Sequence, residues 1–154
     1  MPSPEQMRAA ALKYFSCFAA ADVDGIVALF AEDAVVEDPV GGTPQRGLAA
    51  IRKFFESGFV HVGGGFSFVP EGNVRVAERA VACAAVATVE RADPPFRMET
   101  LDVWTVGEDG KFTSMKAYYG PTNVHSLSGD ADAAAEAARK AQSFVDNQAF
   151  VDNL

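Results

Sequence analysis

The sequence has little of what builds covalent or metal-bound scaffolds: two cysteines, two histidines and one tryptophan in 154 residues. Two thiols, Cys17 and Cys83, can supply neither a disulfide framework nor a four-ligand zinc site. Cys17 sits in a helical pattern and Cys83 in a strand pattern, both among apolar neighbours, which reads as two buried free thiols of a reducing compartment. His61 and His125 have no metal-ligand spacing and read as surface or loop residues. Basic residues are also short, with 13 Lys and Arg against 21 Asp and Glu and a net charge of −8. Nucleic acid and anionic membranes call for clustered cations, so neither is expected as a partner, and the balance suits an uncharged ligand. No apolar run approaches the roughly 18 residues of a membrane span. Met1-Pro2-Ser3-Pro4-Glu5 lacks the basic start and apolar stretch of a signal peptide. The sequence also lacks a phosphate loop or ligand cluster, so no cofactor or metal is implied. A cytoplasmic protein is the resulting expectation.

What is present is ordinary globular composition, 49% hydrophobic and 22% charged, in a length that suits one domain. Ser3-Pro4-Glu5 combines a capping hydroxyl, a proline at the first helical position and an acid in the first turn. Met7, Ala10, Ala11, Tyr14, Phe15 and Phe18 then recur on one helical face. Asp22 or Asp24 can cap a second short helix whose buried face joins Val23, Ile26, Val27 and Phe30. A short strand is expected over 34–37, ended by Pro39, and Gly41-Gly42-Thr43-Pro44 is loop chemistry. Gly47 precedes a third helix with Ala50, Ile51, Phe54 and Phe55 on its buried side. From Phe66 the period becomes two, with strands expected over 66–69, 74–76, 80–90, 97–106 and 111–119. Between the last two, Glu108-Asp109-Gly110 is a hairpin signal.

Helices followed by a meander of strands predict an α+β fold, a curved antiparallel sheet wrapped around helices to form a cone with an apolar pocket. The domain is expected over 1–124. Residues 125–154 read as a C-terminal extension: an alanine-rich helix packed on the domain or a partner, or a partly disordered tail. Within it Phe144-Val145-Asp146-Asn147 recurs as Phe150-Val151-Asp152-Asn153, too few copies for a repeat architecture.

Three residues could carry chemistry. Asp38 lies where a strand turns away, held extended by Pro39. It is either a turn residue bonded to its own loop or an acid facing the interior, and neighbouring Glu37 points to the opposite side. Asp102 shares one strand face with Met98, Thr100 and Trp104. A carboxyl buried there without a cation resolves its cost by staying protonated; the other possibility is an acid on the solvent face of an edge strand. No Lys or Arg is an obvious partner, although Arg97 or Lys116 could fold over it. Tyr14 belongs to an apolar stripe, its hydroxyl bonded either to a backbone carbonyl or to a ligand in a pocket.

Tyr14, the stretch from Phe30 to Gly41 containing Glu37-Asp38-Pro39-Val40-Gly41, Leu101-Asp102-Val103 and Met115-Lys116-Ala117-Tyr118-Tyr119 together resemble the bacterial Δ5-3-ketosteroid isomerases. The resemblance runs in order from about residue 5 to 124. It implies a steroid delta-isomerase in the nuclear-transport-factor-2-like, SnoaL-like superfamily, which converts 3-oxo-Δ5 to 3-oxo-Δ4 steroids. Asp38 would be the general base, and Tyr14 with a protonated Asp102 the oxyanion hole; ketosteroid isomerase is itself the reference case of a carboxylic acid kept neutral for this purpose. Phe54, Phe59, Met115 and Tyr119 would form the apolar wall around the substrate. Phe55 and Phe30 stand where some members carry tyrosines that support the phenol, and Tyr119 where some carry tryptophan. Two other readings remain: a cyclase or dehydratase on the same fold, or a non-catalytic module for apolar ligands.

Strands 80–90 and 97–106 place apolar residues on both faces, of which the helices can cover only one. The uncovered face predicts a homodimer formed sheet against sheet, as in the family the chain resembles.

Overall fold

The computed structural model describes residues 1–128 together with Ala135 and Arg139. In chain order the elements are α1 (Pro4–Ser16), α2 (Val23–Val27), β1 (Phe30–Glu37), β2 (Gln45–Arg46), α3 (Leu48–Val62), β3 (Ser67–Pro70), β4 (Arg75–Ala77), β5 (Ala80–Val89), β6 (Phe96–Val106), β7 (Phe112–Tyr118) and β8 (Val124–Ser126). A single 3-10 turn over Pro121–Asn123 precedes β8.

Local chemistry sets the helix ends. Ser3 and Gln6 form a reciprocal capping box at α1, with Gln6 N donating to Ser3 Oγ at 3.1 Å and Ser3 N to Gln6 Oε1 at 2.8 Å. Asp22, the nearer of the two acids expected to cap α2, accepts from Gly25 N at 2.9 Å. Helix α3 stops at Gly63, whose φ of 86° is the left-handed conformation that glycine adopts without strain. Two residues on, Gly65 crosses α1's end so closely that a Cβ there would lie 2.2 Å from the Ala19 carbonyl oxygen. Phe66 N donates to the Phe18 carbonyl at 3.1 Å across this junction. The turn at 107–111 closes the β6–β7 hairpin, with Gly107 N donating to Lys111 O at 2.8 Å.

The eight strands form one sheet in the order β2-β1-β7-β6-β5-β3, with β4 also on β5 and β8 on β6. All pairs are antiparallel except β1 with β7, which run parallel. The parallel pair follows from connectivity, because α3 and the β3–β6 meander lie between these strands and let β7 return in the same direction. The sheet is therefore mixed, and it curves around the helices as the α+β cone expected from sequence.

Three local expectations are corrected. Phe30 belongs to β1 rather than α2, which ends after five residues. It packs its ring against Phe112 at 5.4 Å. Val124–Ser126 form a strand on Phe96–Met98, so the chain stays in the sheet past Val124. Gln45–Arg46 form a short edge strand on β1, between the expected loop and α3, where no element was expected. Apart from Leu127, Ser128, Ala135 and Arg139, the remainder of the expected C-terminal extension, including the repeated Phe-Val-Asp-Asn segments, lies outside the described residues.

The inner face carries two apolar clusters. The larger joins α1, α3 and the sheet through Tyr14, Phe15, Phe55, Trp104 and Phe112. The smaller gathers Ala87, Val89, Phe96 and Val124, with Phe66, Phe68 and Met98 packed against it. On the outer face, Leu101 is 44% exposed, Tyr118 45% and Val69 53%. Among the described residues, no helix is long and apolar enough to cross a membrane.

Candidate active site

A cavity of about 280 Å³ opens between α3 and the concave face of the sheet. Asp38, Thr100, Asp102, Ala117 and Tyr119 supply one part of its lining, and Phe54, Phe55, Phe59, Phe66, Phe68 and Phe96 most of its apolar wall. Of the seven residues singled out from sequence, Asp38, Asp102, Phe54, Phe59 and Tyr119 line this cavity. Tyr14 and Met115 do not; both stand in the packed layer behind it.

Asp38 follows the last residue of β1, where parallel pairing sets Glu37 beside Lys116 and so brings Asp38 level with Ala117. Val40 N donates to the Ala117 carbonyl at 2.8 Å and ties the turn to β7. Strand alternation resolves the two adjacent acids. Glu37 accepts from Gly41 N at 3.0 Å and holds the turn, leaving Asp38 to face the cavity. Asp38 is only partly exposed, through the cavity itself. Desolvation raises its pKa to about 6, against a hydrogen bond from the Tyr119 phenol that favours the ionised form.

Asp102 projects from the middle of β6, flanked by Cys83 on β5 and Ala117 on β7, neither of which can compensate a charge. Arg97 and Lys116, the two cations expected within reach, alternate to the opposite face of the sheet. Only 1% of the Asp102 surface is exposed, and neither carboxyl oxygen has a hydrogen-bond partner among the described residues. Burial first, and the charge of Asp38 second, raise its pKa well above the usual carboxylate range. Thr100 pulls weakly the other way, but it approaches too loosely to satisfy either group, since its Oγ1 is itself without a partner. An unpartnered buried polar group costs about 1–3 kcal/mol. Three such groups, on Thr100, Asp102 and Trp104, occupy successive inward positions of β6.

Tyr14 is 1% exposed, edge-on to Trp104 at 5.2 Å and Phe18 at 5.0 Å. Phe55 packs edge-on to its ring at 6.1 Å, so an aromatic edge rather than a second hydroxyl supports it from α3. Burial raises the phenol's pKa, and the charges of Asp102 and Asp38 raise it further, so the phenol keeps its proton.

Sequence reading missed three polar lining groups: Thr100, and His61 and Asp93 near the ends of α3 and β5. The period-two alternation of β6 already put Thr100 on the Asp102 face. Nothing local marks His61 or Asp93, because the cavity joins them across separate elements. Among the described residues no group of three or more His, Cys, Asp or Glu is placed to hold a metal.

An apolar cavity on an α+β cone thus holds one carboxyl with a pKa of about 6 and a second raised well above its normal range, a pairing of the kind that clusters at functional sites. The SnoaL-like domain model matches residues 11–115, and the chain belongs to that family, whose fold is the nuclear-transport-factor-2-like cone. The chain is 34% identical over 123 residues to a steroid Delta-isomerase of Nocardioides simplex, covering 77% of this chain and 94% of that protein. It is 30% identical over 129 residues to the epoxide hydrolase LasB of Streptomyces lasalocidi, covering 80% of this chain but 44% of that longer protein. Among solved structures it matches the epoxide hydrolase/cyclase-like enzyme SalBIII, with a TM-score of 0.73 and 28% identity over 82% of this chain and all of the other.

Proposed function

We propose that the protein isomerises 3-oxo-Δ5 steroids to 3-oxo-Δ4 steroids through a dienolate. The observation that supports this best is the contrast between Asp38, with a pKa of about 6, and Asp102, raised well above the carboxylate range in the same apolar cavity. At neutral pH Asp38 is mainly ionised. It removes a proton from the carbon between the carbonyl and the double bond, and returns it two carbons along. The electron pair passes to the carbonyl oxygen, forming the dienolate. Asp102, in its neutral form, donates to that oxygen from the lining; the role of second donor falls to Tyr14 by the family resemblance, and requires its hydroxyl to reach past the lining from the layer behind. Both act more strongly on the dienolate than on the neutral ketone, which is the differential binding that lowers a barrier. Phe54, Phe59 and Tyr119 line the space for the apolar rings, with Met115 in the layer beneath.

The functional unit in this reading is a homodimer built on the outer sheet face, where Leu101, Val103, Ala82 and Ala84 lie on adjacent strands. The experiment that tests the activity is incubation with 5-androstene-3,17-dione, followed by ultraviolet absorption of the conjugated enone. The matches to an epoxide hydrolase and a cyclase-like enzyme favour one second reading. There, Asp102 would protonate an epoxide oxygen while Asp38 takes the proton of the attacking hydroxyl. An epoxide consumed by a protein that leaves the steroid unchanged would select it.

A further inference from the structure

Thr100 presents a buried hydroxyl that the proposed reaction does not use. It lines the cavity, is 7% exposed and has no hydrogen-bond partner among the described residues. Its neighbours explain why. On β5 it faces Ala85, which has no polar side-chain atom. On the other side, the register that pairs Leu101 with Tyr118 and Asp102 with Ala117 brings Thr100 alongside Tyr119. The Tyr119 phenol is already engaged with Asp38. Asp102 is the next inward residue of the strand and feels the Thr100 hydroxyl, but no hydrogen bond of ordinary geometry joins the two. Valine has almost the same shape and would fill this position without a buried polar atom.

We propose that Thr100 is a specificity-determining residue whose hydroxyl bonds a second oxygen of the ligand, set along the ring system from the oxygen that Asp102 holds. Two residues of strand separate the two contacts, a spacing of about 7 Å. The ligand class is a rigid polycyclic ketone with a hydroxyl or oxo group partway along its rings, in addition to the enolisable carbonyl. For a steroid that means an oxygen on one of the middle rings. A ligand without it covers Thr100 and leaves the hydroxyl with no partner, a loss of about one net hydrogen bond. The inference rests on the proposed function only in taking Asp102 as the group that holds the first oxygen.

The test uses full-length protein and two small phenols, 2-naphthol and 2,7-dihydroxynaphthalene, the second with two oxygens at comparable spacing. Binding is measured by fluorescence for the wild type, Thr100→Val and Thr100→Ser. The wild type is expected to bind the diol about fivefold more tightly than 2-naphthol, the factor of one net hydrogen bond. Thr100→Ser keeps that preference; Thr100→Val loses it while still binding 2-naphthol, which also reports that the variant is folded. A wild type that binds both probes alike overturns the proposal. So does a Thr100→Val variant that keeps the preference or weakens both probes equally, the latter meaning that Thr100 acts through Asp102. Diol preference in a wild type that leaves 5-androstene-3,17-dione unchanged would overturn the steroid reading and leave the Thr100 assignment standing.

Discussion

Asp38 and Asp102 line one cavity, and the charge of Asp38 is, after burial, the second cause that lifts the Asp102 pKa. The base thereby helps define the role of the second acid. Ionisation of the base makes it harder for the donor to lose its own proton.

Replacing Asp38 by Asn keeps the shape and removes the proton acceptor. Turnover is expected to fall by a factor of about 10³ or more. Binding of a phenolic steroid that mimics the dienolate should persist or tighten, since the negative neighbour is gone. A purified variant with near wild-type turnover contradicts the role of Asp38.

The rate should also follow the Asp38 titration. Its carboxylate must be ionised to act, and its pKa is about 6. Activity is therefore expected to be level above pH 7 and to fall tenfold per pH unit well below pH 6. A pH-rate profile flat down to pH 4.5 would contradict this.

Asp102 makes a prediction about stability with a definite sign. Its folded-state pKa lies well above its unfolded value of about 3.9. Above that unfolded value the unfolded chain gives up the Asp102 proton while the folded state retains it, so stability is lost as pH rises. Asp102→Asn removes this dependence. It should melt about 3 °C or more above the wild type at pH 7.5, the difference closing towards pH 3.5. Activity moves the opposite way, because Asp102→Ala or Asp102→Asn weakens the donor and slows turnover by about 10²-fold. A variant that melts lower at pH 7.5 and converges at neither end of the range would show that Asp102 is not held neutral.

The outer sheet face carries the assembly prediction. Leu101 is 44% exposed there, with Tyr118 paired beside it across β6 and β7. Leu101→Lys sets a charge at the centre of the proposed contact and is expected to convert a dimer to monomers in sedimentation. A wild type that is a stable, fully active monomer at micromolar concentration refutes the dimer.

Much of this arrangement is legible in the residues, and the exceptions share a cause. The Ser3 cap, the α3 stripe and the period-two strands are local signals, and each has its counterpart in the fold. Alternation alone put Met98, Thr100, Asp102 and Trp104 on one face, and the Asp38-Pro39 step marked where β1 ends. The placement of Phe30 failed because a five-residue helix has too little length for its period to outweigh strand pairing with Phe112. The strand β8 was missed because three residues show no period, and its partner is set nearly thirty residues earlier. Tyr14 and Met115 lie one layer behind the cavity, a depth that a helical stripe or strand face does not encode.

The central claim is that one carboxylate carries a single proton across the face of the substrate. It is tested most directly by converting 5-androstene-3,17-dione in heavy water and locating deuterium in the product by mass spectrometry. The account predicts conversion to the conjugated enone with most of the transferred hydrogen retained from the substrate, and loss of that conversion in Asp38→Asn. No conversion, or conversion with full incorporation of solvent deuterium at the receiving carbon, would contradict it.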